Sequence, residues 1–348
     1  MLGRGLAFFL SVLLLADYSA CATAETRQER QARYDWRNMP GQKMFFDSRS
    51  PMTVSELLSR GGEPVKLEAH LWMPEKASGP VPAVVIFSCG AVVVKEKAGV
   101  YGDEFHRQGY AVVNLNSLKS RVDDVAHHEN AIWRYRYATI VDVFEVLKTL
   151  AADPRIDPKR IAIIGWVNGG MPILSAPIEE LREIYIGSDI RYAAMVAISP
   201  YCSIATLGAR YSATPILTLH GEKDDFMPLK PCELYRKEAV ARGANIEMFV
   251  YPGIYHNWDM VGLRFRFDSA SFGFKEDCLM QTDLKEGGLR LGDGTMLRDD
   301  TRKRGEIISK YTRSCRTGGI TQSGDQRTRT DAIARVMAFI KKALVIAS

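Results

Sequence analysis

The sequence predicts an α/β fold with a doubly wound, mostly parallel sheet. Three observations lead there. Short, mostly apolar runs recur at residues 83–87, 111–115, 161–164, 193–198 and 216–219, the first of them continuous, as strands covered on both faces require. Stretches with helical spacing separate them, the alternation that joins parallel strands through crossover helices. Finally, Gly165-Trp166-Val167-Asn168-Gly169 has the glycine spacing of a sharp turn from a buried strand into a helix.

The elements follow in order. Residues 25–60 are polar and mixed and read as an N-terminal arm. Residues 65–72 alternate apolar and polar, which suits a half-exposed antiparallel strand. A turn cluster at 77–82 leads into the strand 83–87. A helix over 101–108 is stopped by Gly109 before the strand 111–115. Ile132, Tyr135, Thr139, Ile140, Val143, Val146, Leu147 and Leu150 form one face of a longer helix, which ends at Asp153-Pro154. The strand 161–164 runs into the Gly165 turn, and Gly169-Gly170-Met171 opens the next helix. Strands at 193–198, 216–219 and 246–251, a helix at 231–242 and an amphipathic closing helix at 332–344 complete the pattern. Residues 262–327 have glycine and charge but no sustained periodicity, and read as an irregular insert: a functional lid, or a partly disordered segment. There Arg298, Arg302, Lys303 and Arg304 alternate with Asp299 and Asp300, as on a solvated face. Residues 25–348 are expected to form a single domain.

Composition is that of a globular protein, with 46% hydrophobic and 25% charged residues in 348. A net charge of +5 is diffuse and argues against a nucleic-acid partner. Residues 1–24 read as a signal peptide: Arg4, an apolar run over 6–16, and Ala22-Thr23-Ala24 as a cleavage site. The run is shorter than the roughly 20 residues a membrane span needs, and no later segment reads as transmembrane. The expectation is export to the periplasm or beyond. A lipid anchor on Cys21 is the second reading, disfavoured by Tyr18 three residues before it.

Export places the remaining cysteines in an oxidising compartment. Cys202 and Cys232 follow successive predicted strands, within bridging range of each other, and a Cys278–Cys315 bridge would staple the insert. Cys89 is left free. No Cys-x-x-Cys or His-x-x-x-His spacing suggests a metal, the adjacent His127 and His128 read as surface residues, and no cofactor is expected.

The glycine turn has the outline of Gly-x-Ser-x-Gly, which lifts a nucleophile to the top of an α/β-hydrolase sheet. Here Val167 stands in the nucleophile slot. The acid and histidine follow in that order in such folds. Asp224, in Gly221-Glu222-Lys223-Asp224 after the strand 216–219, fits the acid, with Asp225 as runner-up; His256 lies in the loop after the strand 246–251. Arg121 is a candidate for holding a substrate carboxylate through its planar fork; the competing reading is a structural ion pair. Trp166 and Trp258 flank the site and line either a pocket or the core.

These segments resemble the dienelactone hydrolases of the α/β-hydrolase superfamily. Residues 164–171 are similar to that family's Gly-Trp-Ser-x-Gly-Gly elbow, 87–91 to its His-Gly-Cys-Gly-Gly loop, 116–121 to its Asp-Ser-Phe-x-x-Arg segment, and 153–161 to its lead-in to the elbow strand. The resemblance covers about 60–260 and the last helix, and extends loosely to the insert. It implies a small ester or lactone as substrate, and an oxyanion hole at Ser88 and Asn168. Two departures fall in the site. Val167 replaces Ser or Cys, and Phe87-Ser88 replaces His-Gly. Loss of a triad nucleophile costs roughly 10⁶ in turnover, so impaired turnover is expected. The alternatives are a pseudoenzyme that binds a small molecule or a protein partner, and an interaction module that uses the insert. Cys89, beside the elbow, is a candidate substitute nucleophile. If the elbow survives, Val167 should hold a positive φ, a strained conformation for a β-branched residue.

Overall fold

The computed structural model describes residues 41–347 apart from 90–92, 123–127, 188 and 269–272. The signal-peptide reading with Cys21, and Gly90, Ala91 and His127, lie outside the described residues. In chain order the elements are β1 (Gln42–Ser50), α1 (Val54–Ser59), β2 (Glu63–Trp72), β3 (Val81–Ser88), α2 (Val93–Arg107), β4 (Ala111–Asn116), α3 (His128–Arg134), α4 (Arg136–Ala151), β5 (Ile156–Trp166), α5 (Gly170–Ile173), α6 (Glu179–Tyr185) and β6 (Ala194–Ile198). They continue with β7 (Thr206–Leu207), β8 (Pro215–Gly221), α7 (Leu229–Val240), β9 (Asn245–Tyr251), β10 (Arg264–Asp268), β11 (Met280–Asp283), β12 (Gly288–Leu291), β13 (Met296–Arg298), α8 (Arg304–Ser314), β14 (Gly319–Ser323) and α9 (Gln326–Ala347).

The central sheet has the order β1-β2-β4-β3-β5-β6-β8-β9. β1, β2 and β4 pair antiparallel, and every other pair is parallel. This is the α/β-hydrolase fold. Alternate residues of the central strands feed two cores. Ala83, Val85 and Phe87 join one with α1, α4 and α6; Val84 and Ile86 join the other with α2 and α9. Burial on both faces explains why these strands read as continuous apolar runs.

The structure corrects the sequence reading in three places. Part of the supposed N-terminal arm is β1, a nine-residue edge strand. Its inward face carries Phe46 but also the buried Ser48 and Ser50, so apolar alternation was absent. The helix read through Tyr135 is two helices that break there, with Tyr135 capping α4.

The insert is also ordered. β11, β12 and β13 form a small sheet that continues onto β7, while β10 and β14 make a separate ribbon. Strands of three to five residues are too short to show a period. The Cys278–Cys315 disulfide ties this region together, and Cys202–Cys232 joins the turn after β6 to α7. Cys89 is free. Cys278→Ser/Cys315→Ser should destabilise the insert by about 3–4 kcal/mol, the loop-entropy value for a separation of 37 residues. Limited proteolysis should then cut within 262–327 at lower urea than wild type, while the central sheet persists. Among the described residues no helix is long and apolar enough to cross a membrane.

Candidate active site

β5 delivers the elbow. Its last residue, Trp166, is buried, and the backbone turns at Val167 with φ of 54°. This is the positive φ expected of a retained elbow. Val167 N–H donates to Ile198 O at 2.9 Å, and its carbonyl accepts from Tyr201 N–H at 3.2 Å and Gly170 N–H at 3.1 Å. The glycines are there for close approach. A Cβ on Gly165 would lie 2.6 Å from Gly169 O, and one on Gly169 would lie 2.7 Å from Phe87 O. A valine in the left-handed region stores strain of about 1–3 kcal/mol, held by these backbone bonds.

Asp224 follows β8 and His256 follows β9, so parallel neighbours bring them to one sheet edge. His256 Nδ1 lies 2.8 Å from Asp224 Oδ2, and both side chains are buried. Phe226 and Met227 N–H also donate to Asp224 Oδ1, at 3.1 and 2.8 Å. Burial alone would raise the Asp224 pKa; the His256 charge and these hydrogen bonds outweigh it and hold the carboxyl below its ordinary range. His256 Nε2 makes no hydrogen bond to a described residue. Asp225 serves another purpose: it accepts from Thr321 N–H at 2.8 Å and Thr321 Oγ1 at 2.7 Å, pinning β14. The insert also grips the histidine loop. His256 N–H donates to Thr321 O at 3.1 Å, and Ser323 N–H to His256 O at 3.0 Å.

An apolar cluster packs against the elbow, with Phe274 and Met280 supplied by the insert. Val167, half-buried, packs on a cluster of Met171, Tyr201, Met227, Phe274 and Met280. Phe226 stacks edge-on against His256, with centroids 4.9 Å apart. On the oxyanion side, Asn168 N–H makes no hydrogen bond to a described residue. Ser88 is buried, and its Cα lies 3.3 Å from where a Gly169 Cβ would be.

Two sequence readings change. Arg121 does not face a ligand. Its guanidinium is 2% exposed and forks onto Asp142, at 2.6 and 2.9 Å, and it also donates to Ser50 Oγ and Ser117 O. With all its donors engaged inside the core, Arg121 is the structural ion pair of the alternative reading. Cys89 also packs in a different core cluster from those Val167 packs against. It lies in the core with Leu118 and Val141, and burial, then the Asp142 charge, push its thiol far up. A thiol that stays protonated is no nucleophile. Trp166 and Trp258 are both core residues.

Sequence reasoning missed a buried network behind the elbow. Lys97 Nζ on α2 contacts Asn257 Oδ1 at 2.7 Å and Asp259 Oδ1 at 2.8 Å; Asp259 Oδ2 accepts from Trp166 Nε1 at 2.8 Å. It ties the elbow strand, α2 and the histidine loop. The available signal was spacing: Lys97, Tyr101 and Phe105 recur every four residues, which puts the lysine on the buried stripe.

His220, on β8 next to the acid loop, is fully buried, and neither ring nitrogen has a hydrogen-bond partner. Burial lowers its pKa from 6.5 to about 4, with His256 adding to the fall and Asp224 opposing it. The folded value lies below the unfolded one. Its stabilisation is therefore complete above pH 6.5 and is lost as pH falls toward 4, about 3 kcal/mol in all. His220→Gln should flatten that part of a stability-against-pH curve measured by urea melts.

Comparison with known proteins gives the family. The profile of the dienelactone hydrolase family matches residues 67–261, more than half of the chain. A solved Klebsiella pneumoniae structure described as a dienelactone hydrolase aligns at 15% identity and a TM-score of 0.48, covering 86% of this chain and 99% of that one. An esterase from Thermogutta terrifontis aligns at 15% identity and 0.44, covering 57% and 82%. A Caenorhabditis elegans protein named dipeptidyl peptidase family member 1 is 23% identical over 151 residues, covering 36% of this chain and only 19% of that relative's length. With the profile match, the strand order and the elbow together, the chain belongs to the dienelactone hydrolase family.

Proposed function

We propose that this protein is an exported member of the small-ester and lactone hydrolase lineage whose covalent turnover is impaired. The observation that carries the reading is Val167 at φ 54°, in the nucleophile slot of an elbow that accompanies a buried Asp224–His256 pair. His256 would serve as the base and Asp224 would fix its tautomer. Asn168 N–H and the Ser88 loop would receive the oxyanion. Valine offers no lone pair, and its methyls occupy the position a nucleophilic water would need. Two disulfides support the exported setting.

A second reading is a pseudoenzyme that binds a small molecule or a protein partner without turnover. The packing of Val167 against the apolar cluster that contains Met171, Tyr201 and Phe274 favours it. Hydrolysis of short-chain esters and lactones by wild type and His256→Ala separates the two. If wild type turns over substrate and His256→Ala does not, the pseudoenzyme reading fails; if both are silent, it stands.

A further inference from the structure

We propose that Cys202, Cys232 and His220 form a latent zinc site that the disulfide closes and reduction opens. The two cysteine sulfurs and one imidazole nitrogen lie within 4.8 Å of one another, and all three residues are buried. Each comes from a different rigid element: the turn after β6, α7 and β8. His220 is the independent indication of a ligand. An imidazole with two buried, unpartnered nitrogens is costly unless something else occupies the space beside it.

The ligand set selects the ion. A tetrahedron with zinc–ligand bonds of about 2.0–2.3 Å has edges of about 3.3–3.8 Å. Once the sulfur–sulfur bond is broken, the three atoms are near enough for one ion to span. Charge decides between soft metals: a divalent ion with two thiolates and an imidazole is neutral, whereas a monovalent one leaves a net negative charge in a fully buried site beside Asp224, where it is poorly tolerated. The Pro200 carbonyl oxygen, 3.5 Å from Cys232 Sγ, offers a fourth ligand.

The chemistry balances. An external dithiol reduces the Cys202–Cys232 bond by two electrons, giving two thiols and its own disulfide. Zinc then takes two thiolates and the neutral imidazole and releases two protons. Disulfide and zinc are mutually exclusive occupants of one site. The inference is independent of whether the elbow turns over any substrate.

Cobalt(II) added anaerobically to the reduced full chain is the probe. The expected result is one equivalent bound, with thiolate-to-cobalt charge-transfer absorption that zinc abolishes. Cys278→Ser/Cys315→Ser should keep the absorption. Cys202→Ser/Cys232→Ser should lose it. Loss of an outer-shell partner weakens metal binding by about 10–100-fold, so His220→Gln, which removes a ligand, should weaken it at least as much. Near-UV circular dichroism of each reduced chain reports folding. The idea fails if the folded reduced protein shows no such absorption, if His220→Gln binds cobalt as wild type does, if the absorption disappears with Cys278→Ser/Cys315→Ser, or if only an unfolded chain binds.

Discussion

Val167→Ser is expected to raise ester hydrolysis at least about a hundredfold over wild type, a fraction of the roughly 10⁶ that separates a triad enzyme from one lacking its nucleophile. The scaffold for it exists. Both backbone groups of Val167 are hydrogen-bonded, so the elbow should hold its shape when the side chain changes. Serine also relieves the crowding of a β-branched side chain at φ 54°. The Asp224–His256 contact at 2.8 Å has the geometry that a base and its orienting carboxylate need. The gain is bounded by Phe274 of the insert, in the apolar cluster against Val167, and by Phe226 of the acid loop, which lies edge-on to the histidine. Labelling with a small fluorophosphonate tests the hydroxyl separately from substrate fit. If Val167→Ser is neither labelled nor active, the oxyanion side has lost its geometry too, and Val167 alone does not account for the impaired turnover. If it is labelled, adding His256→Ala should abolish both labelling and turnover.

The elbow and the acid were legible because each follows a strand buried on both faces, and such strands stand out as apolar runs, whereas the histidine follows the half-exposed edge strand β9 and was found by its place after the acid. Their glycines were legible for a related reason: Gly165 and Gly169 approach other backbone too closely for any side chain. The remainder depended on contacts distant in sequence. Nothing near Arg121 announces Asp142, one turn and a helix later, or the serines of β1. The same holds for Lys97 and Asp259, which meet across 162 positions only because α2 and the histidine loop converge. The insert was opaque for a different reason. Its strands are short and draw their order from β7, from the Asp225–Thr321 bonds and from a disulfide, none of which imposes a periodicity on the sequence. Polar residues that face inward, like Ser48 and Ser50, mislead any reading based on apolar alternation.

Arg121→Ala should destabilise the protein by about 3–5 kcal/mol, the cost of stranding one partner of a buried ion pair. Asp142 is fully buried, and besides Arg121 it accepts hydrogen bonds from Ser48 Oγ at 2.5 Å and from Ser117 Oγ. Arg121 in turn donates to Ser50 Oγ and to Arg49 O at 2.9 and 3.1 Å. One charge pair therefore clamps the edge strand β1 to α4 and to the loop after β4. Without the guanidinium, the carboxylate either stays ionised with too few donors or takes up a proton, and β1 loses two anchors. Arg121→Met with Asp142→Leu removes both charges together and should recover much of the loss, because replacing a buried pair with apolar side chains is often close to neutral. The unpaired serines would keep the recovery incomplete. Urea denaturation of the single and double variants measures this directly. A residue reserved for a substrate carboxylate behaves in the opposite way: its removal leaves the melting curve in place and weakens binding instead. A single variant as stable as wild type would return Arg121 to the substrate, whereas a large loss that the double variant restores fixes it as the clamp of β1.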